Sequence, residues 1–115
     1  MANTFKVITK AGVTTNDTIY TVAANTTTVI LGAMLGNTTS SQVLATLTLS
    51  SNTANRAGNN DEANQDVELV TNAPIPSGSS LELLAGNKVV LETTDEIQLT
   101  SDGATDIILS VMEIT

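Results

Sequence analysis

The chain contains no cysteine and no histidine, and its only aromatic residues are Phe5 and Tyr20. Without cysteine it has neither a disulfide framework nor a thiolate metal site. Without histidine it lacks the commonest general base of enzyme active sites, and without cysteine it lacks the strongest nucleophile. No serine stands in the G-x-S-x-G pattern of a hydrolase. We expect no enzymatic activity, no bound cofactor, and a core of aliphatic side chains.

Basic residues are also scarce. Four lysines and arginines face twelve acidic residues, which gives a net charge of −8. Nucleic-acid binding depends on neutralising phosphates with basic side chains, so we expect no such partner. No apolar run approaches the roughly 18 residues that span a bilayer, and no charged-then-apolar leader opens the chain. The sequence predicts a soluble protein with no secretion signal and no membrane partner.

Two acidic clusters are the remaining candidates for chemistry. Glu92, Asp95 and Glu96 stand close together, and paired carboxylates perform glycoside hydrolysis. They lie in a short connection between strands, where acidic residues normally face water. Residues 59–66 offer oxygen ligands that suit calcium, but the D-x-[DN]-x-[DN]-G core of an EF-hand is absent. We therefore assign neither a catalytic nor a metal site.

Threonine is abundant, with twenty copies in 115 residues, and it suits half-exposed strands. Short runs alternate apolar and polar residues between turn signals, most clearly at Val43, Ala45, Leu47 and Leu49. This pattern predicts one all-β domain over residues 1–115, an antiparallel, jelly-roll-like β-sandwich of eight or nine strands. The predicted strands are 4–10, 18–23, 27–36, 42–51, 66–71, 80–84, 88–93, 95–100 and 106–114.

Several segments between the strands carry specific signals. The turn Ala85-Gly86-Asn87-Lys88 predicts a hairpin over 80–93, because these residues tolerate positive φ. Pro74 cannot donate a ladder hydrogen bond, which predicts a crossing or an edge strand there. Residues 52–65 form a polar loop that is longer than usual.

The N-terminal segment 1–17 is less regular and holds Lys6 and Lys10. It is either an arm that lies across a neighbouring subunit or an ordinary first strand with outward lysines.

Two predicted strands are apolar on both faces, over residues 29–35 and 107–114. Such a strand must be covered on both sides. The cover is either a loop of the same domain or another subunit, because contiguous exposed apolar patches usually mark interfaces. If a subunit covers these strands, the predicted interface residues are Ile30, Met34, Ile108, Met112 and Ile114.

Three stretches carry a family resemblance: MANTFKVITKAGVTT, NDTIYTVAANTTTVILGAMLGN, and PIPSGSSLELLAGNKVVLETTDEIQLTSDGATDIILSVMEIT. Together they resemble small virion structural proteins of tailed bacteriophages, especially phages of marine bacteria and cyanobacteria. The resemblance covers most of the chain and includes no catalytic residue. The 52–65 loop has no counterpart in it.

The resemblance implies a protein made in the host cytoplasm and placed on the capsid exterior of the virion. There it would decorate or cement the shell, bridging major capsid protein subunits as a homo-oligomer, for instance a trimer. One alternative is a module of the tail or fibre. Another is a carbohydrate-binding module, which two aromatic residues support poorly because sugars stack on aromatic platforms.

Overall fold

The computed structural model describes residues 2–52, 65–83 and 88–115, and within them the chain forms nine β-strands in two antiparallel sheets. The strands are β1 (Asn3–Val13), β2 (Asp17–Thr21), β3 (Thr27–Asn37), β4 (Val43–Ser51), β5 (Gln65–Ile75), β6 (Ser80–Leu83), β7 (Val89–Leu91), β8 (Glu96–Ser101) and β9 (Thr105–Ile114). The predicted strands are confirmed, with bounds that differ by up to four residues.

The strand order is that of a jelly roll. The first sheet runs β1-β9-β3-β6, with β7 also paired to β3, and the second sheet runs β2-β8-β4-β5. Two four-stranded sheets that face each other in this order, with β6 and β7 sharing one position, make the double-sheet jelly roll. The predicted all-β sandwich is therefore confirmed.

The core lies between the sheets and is aliphatic. Leu47, Leu99 and Leu109 are completely or almost completely buried, and they come from strands of both sheets. Along β4, Val43, Ala45 and Leu47 face the core while Leu44 is exposed, as the alternation predicts. Phe5, by contrast, is 71% exposed, so the only phenylalanine takes no part in the core.

A β-bulge in β3 changes which residues face the core. The register between β3 and β9 shifts between Ile30 and Gly32. A bulge adds one residue to a strand, so side chains before and after it exchange faces relative to a strict period of two. Ile30 is consequently buried, whereas Met34, four residues later, lies on the opposite face and is 40% exposed.

The segment 80–93 is not a hairpin, and that prediction was wrong. Both β6 and β7 pair antiparallel with β3: β6 with residues 33–36 and β7 with residues 28–30. They therefore run in the same direction, one after the other along a single neighbour. Residues 84–87, which include most of the predicted turn, lie outside the described residues.

The N-terminal segment is the ordinary first strand. From Asn3 to Lys10, β1 pairs with β9 in an unbroken register. Lys6 is paired with the core-facing Val111, so the lysines lie on the inner side of β1 and the expectation of outward lysines was wrong. Phe5 and Val7 point outward instead.

The turn between β8 and β9 carries the chain from the second sheet to the first. The Asp102 carboxylate accepts a hydrogen bond from the Leu44 N–H at 2.8 Å. A Cβ on Gly103 would come within 2.6 Å of Val43, so this position needs glycine for a close approach.

Three further observations complete the description of the fold. Pro74 lies in β5, which is the edge strand of the second sheet, as predicted. Residues 53–64 of the predicted 52–65 loop lie outside the described residues, so the interpretation of that loop stays a prediction. The described ranges contain no helix long and apolar enough to cross a membrane.

Candidate assembly surface

The outward face of the first sheet is apolar. Of the seven large hydrophobic side chains that are exposed in the described residues, five lie on it, and Phe5 and Val7 are the most exposed at 71% and 66%. Residues that pair directly across an antiparallel sheet have their side chains on the same face, so the strand register shows which side chains lie on this surface. We call this surface the apolar outer face; it comprises Phe5, Val7, Val29, Met34, Val90, Ile108, Met112 and Ile114.

The side chains of this face form straight rows across the strands. One row runs Phe5, Met112, Val29 and Val90 through β1, β9, β3 and β7. Aromatic, methionine and β-branched side chains thus stand side by side over four strands. An antiparallel sheet of a sandwich usually presents a polar outward face, so a continuous apolar row on this side is unusual for a sheet that faces water.

A shallow depression lies within the apolar outer face. Val7, Ser110 and Gly32 form the row beside the apolar one, and a Cβ built on Gly32 would meet no atom within 4 Å. The depression beside Gly32 has a volume of about 190 Å³, and Met34, Ile108 and Glu82 line it. Small residues between rows of large ones therefore leave a hollow in this surface.

The outward face of the second sheet has the opposite character. Thr46 stands opposite Thr100, and Thr48 stands between Gln98 and Glu68. The strands of this sheet contain no lysine or arginine. This face is threonine-rich and acidic, which suits direct contact with water. The two outward faces of the molecule are therefore chemically distinct.

Four of the five predicted interface residues lie on the apolar outer face: Met34, Ile108, Met112 and Ile114. Ile30 does not, and its assignment was wrong, because the bulge turns it into the core, where it is 1% exposed. Whether another molecule covers the other four stays a prediction. Ile108 and Met34 are direct cross-strand neighbours, so their side chains form one patch.

The sequence analysis missed Phe5, Val7, Val29 and Val90 as members of this face. The lysines next to Phe5 and Val7 suggested the reverse orientation, with the apolar side chains directed into the core. The usable signal was the partner strand: Ile107, Leu109 and Val111 must face the core, and their neighbours on β1 then share that side. That signal requires the register, which the sequence alone does not supply.

Ion pairs hold the lysines of β1 on the inner side of the strand. The Lys6 Nζ lies 2.8 Å from Glu113 Oε1, and the Lys10 Nζ lies 3.5 Å from Asp17 Oδ2. The hydroxyl of Tyr20, in the second sheet, donates to Glu113 Oε2 at 2.5 Å and lies 2.7 Å from Thr28 Oγ1. These contacts tie β1, β9 and β2 together at one end of the sandwich.

This network shifts two pKa values. Burial, followed by the hydrogen bond to Glu113, raises the pKa of Tyr20 to about 12. The hydrogen bond from Lys6, followed by that from Tyr20, lowers the pKa of Glu113 below its usual value. The neutral phenol and the ionised carboxylate are therefore the forms that the folded state favours.

The network predicts a loss of stability in alkali. The folded-state pKa of Tyr20 lies above its unfolded value, so its contribution is present below pH 10.0 and is lost as the pH rises towards about 12. Because Tyr20 is the only tyrosine, titration of phenolate absorbance reports this group alone. We expect a midpoint near 12, and in Tyr20→Phe the alkaline fall in the free energy of unfolding should shrink. A midpoint at the ordinary value of a free phenol would contradict the network.

Asp95, in the acidic cluster with Glu92 and Glu96, holds backbone groups of its own turn. Asp95 is fully buried, so the expectation that it faces water was wrong for this residue. Its carboxylate accepts hydrogen bonds from the N–H groups of Asn52 and Glu92, at 2.9 and 3.0 Å. These bonds fix the turn before β8. In the described ranges no group of three or more acidic side chains is placed to hold a metal ion.

No protein-family model matches the chain, and no curated protein sequence matches it. Among solved structures, a chain from the disulfide-linked pili of Bacillus endospore appendages is similar, with 13% identity over 99% of this chain and 87% of that chain and a TM-score of 0.49. A chain of the infectious bursal disease virus Gx strain is 9% identical, with a TM-score of 0.38 over 98% of this chain and 37% of its own. With TM-scores below 0.5, these similarities say nothing about what this chain binds.

Proposed function

We propose that the protein is a virion structural protein of a tailed bacteriophage that decorates or cements the capsid. It bridges neighbouring major capsid protein subunits on the outer surface of the shell. The apolar outer face carries this proposal, because it is the surface of the described fold that most needs a cover. The partner is a protein, since the face is apolar and offers few polar groups for a small polar ligand.

The arrangement of the two outward faces supports attachment in one orientation. The apolar outer face lies against the shell, while the threonine-rich face of the second sheet points to solvent. Burying one large apolar side chain contributes roughly 1.5–3 kcal/mol, so several exposed side chains of this face supply binding energy together. The depression beside Gly32 accepts a projecting side chain of the capsid and fixes the register of docking.

The net charge favours the outside of the shell. A chain of charge −8 that faced packaged DNA would meet phosphates of the same sign. The outer surface carries no such repulsion. Decoration also suits a domain that occupies many equivalent sites, because weak contacts in a repeated arrangement gain from multivalency.

Cryo-electron microscopy of the purified particle tests this proposal. We expect density for the jelly roll at every equivalent position of the outer shell, so that copies number in the hundreds. A small copy number confined to the tail would favour the alternative, a tail or fibre module. Absence of the chain from the particle would contradict both the capsid role and the tail or fibre role.

A further inference from the structure

The two sheets have four edges, and three of them are protected against pairing with another chain. In β5, Pro74 and two register shifts interrupt the edge, and Asp66 and Glu68 add charge. The second edge, β2, has only five residues and a register shift. At the third, β6 and β7 have four and three residues. Short strands, proline, bulges and charges are the devices by which folded proteins prevent edge pairing.

The fourth edge, β1, is long and regular over most of its length. It is eleven residues long, lacks proline, and keeps one register from Asn3 to Lys10. Ala2 and Thr115 exchange both backbone hydrogen bonds, at 3.1 and 3.0 Å. In an antiparallel ladder such pairs alternate, so the even-numbered residues bond to β9 and the odd-numbered ones direct their N–H and C=O groups to the open edge.

The open groups belong to Asn3, Phe5, Val7 and Thr9, and in the described part of the chain β1 pairs with β9 alone. The side chains of these same residues lie on the outward face of the first sheet. The same strand therefore carries unpaired backbone groups along its edge and apolar side chains on its outward face. A partner strand that formed hydrogen bonds with this edge would also extend the apolar outer face.

The charge on β1 identifies the partner as a second copy. Two molecules of charge −8 repel each other, so they approach best where no carboxylate stands. Of the four edges, only β1 and the short β7 lack an acidic residue. Lysines on an edge normally discourage pairing. Here Lys6 and Lys10 are each paired with a carboxylate of their own molecule, which offsets part of their charge.

We propose that β1 pairs antiparallel with β1 of a second copy about a two-fold axis, so that two first sheets become one continuous sheet. A two-fold pairing uses the same strand on both molecules and closes after two copies, unlike a head-to-tail contact. This dimer goes beyond the proposed function and does not rest on it. It would place the two apolar outer faces side by side as one surface.

The lysines also restrict the register. A two-fold axis at position 6 would set Lys6 opposite Lys6 of the second copy, and directly opposed like charges destabilise a sheet. An axis at Val7 sets Lys6 opposite Ile8 of the second copy and Val7 opposite its own counterpart. Phe5 then exchanges hydrogen bonds with Thr9 of the second copy, because both belong to the open set.

Single-cysteine variants of the full chain test this register, since the natural chain has no cysteine. In the dimer the Cα atoms of the two Val7 residues lie about 5.5 Å apart, which a disulfide spans. The two Thr9 residues lie about 14–15 Å apart, which it does not. We expect Val7→Cys to form a disulfide-linked dimer under mild oxidation and Thr9→Cys to stay monomeric on a denaturing gel. Equal cross-linking of both variants, or of neither, would overturn the proposal.

A proline variant tests the backbone bonds without a cross-link. The Val7 N–H points to the open edge, so Val7→Pro removes no hydrogen bond of the fold itself. Val7→Ala is the matched control, because it shortens the same side chain but keeps the N–H. In sedimentation equilibrium we expect Val7→Pro to weaken the dimer about tenfold or more relative to Val7→Ala, with unchanged β-type circular dichroism. A wild-type protein that remains monomeric, or a proline variant as dimeric as the alanine one, would refute the pairing but not the capsid location.

Discussion

The substitution Ile108→Asp is expected to weaken attachment to the capsid strongly while leaving the fold intact. Ile108 is 45% exposed on the apolar outer face, so an aspartate there keeps its carboxylate in water in the free protein. In the complex the same carboxylate would be buried against apolar side chains without a partner, which is costly. We expect binding at least about 30-fold weaker, as for the loss of an interface hot spot. Co-sedimentation with capsids that lack the protein measures the effect.

A matched variant shows whether the loss of binding comes from where the new charge stands or simply from adding a negative charge. Thr100→Asp adds the same carboxylate on the outward face of the second sheet, where Thr100 stands opposite Thr46. We expect this variant to bind capsids like the natural chain. If both variants bound equally well, the apolar outer face would not be the attachment surface. Unfolding of Ile108→Asp, visible by circular dichroism, would instead place Ile108 in the core.

Leu109→Ala is expected to cause a large loss of stability. Leu109 is the chain neighbour of Ile108 but points to the other side of β9, where it is fully buried. Removing a buried leucine side chain typically lowers the free energy of unfolding by about 2–5 kcal/mol, through lost burial and the cavity left behind. Domains of this size are stable by only about 5–15 kcal/mol, so the fraction lost is large.

Leu44→Ala is the control for that prediction. Leu44 is 38% exposed on β4, and the same substitution there should change the free energy of unfolding by about 0.5 kcal/mol or less. Urea denaturation of both variants, with the natural chain beside them, measures the difference. Equal losses in the two variants would mean that the inward and outward sides of the sheets are assigned wrongly.

The strands themselves were predictable because their signals are local. Alternation along β4 and β9 and the turn residues between strands are read from a few neighbouring positions, and the structure follows them closely. The aliphatic core was predictable for the same reason. Two aromatic residues cannot fill the space between two sheets, and Val43, Ala45 and Leu47 mark one side of a strand by their spacing alone.

The membership of the apolar outer face was only partly predictable, because it depends on pairing between distant strands. A period of two places Ile30 and Met34 on one face, but the bulge between them separates the faces. Phe5 joins Met112 only through the register of β1 with β9, across more than a hundred residues. The hairpin predicted from the turn residues after β6 was wrong for a related reason. Both β6 and β7 pair with β3, and this pairing between distant strands outweighs the local turn signal.

The most direct test of the central claim is the orientation of the jelly roll on the particle in a cryo-electron microscopy map. The account predicts that the row Phe5, Met112, Val29 and Val90 lies buried against the major capsid protein, and that the threonine-rich face of the second sheet is in solvent. A map in which that row faces solvent while the threonine-rich face contacts the shell would contradict it.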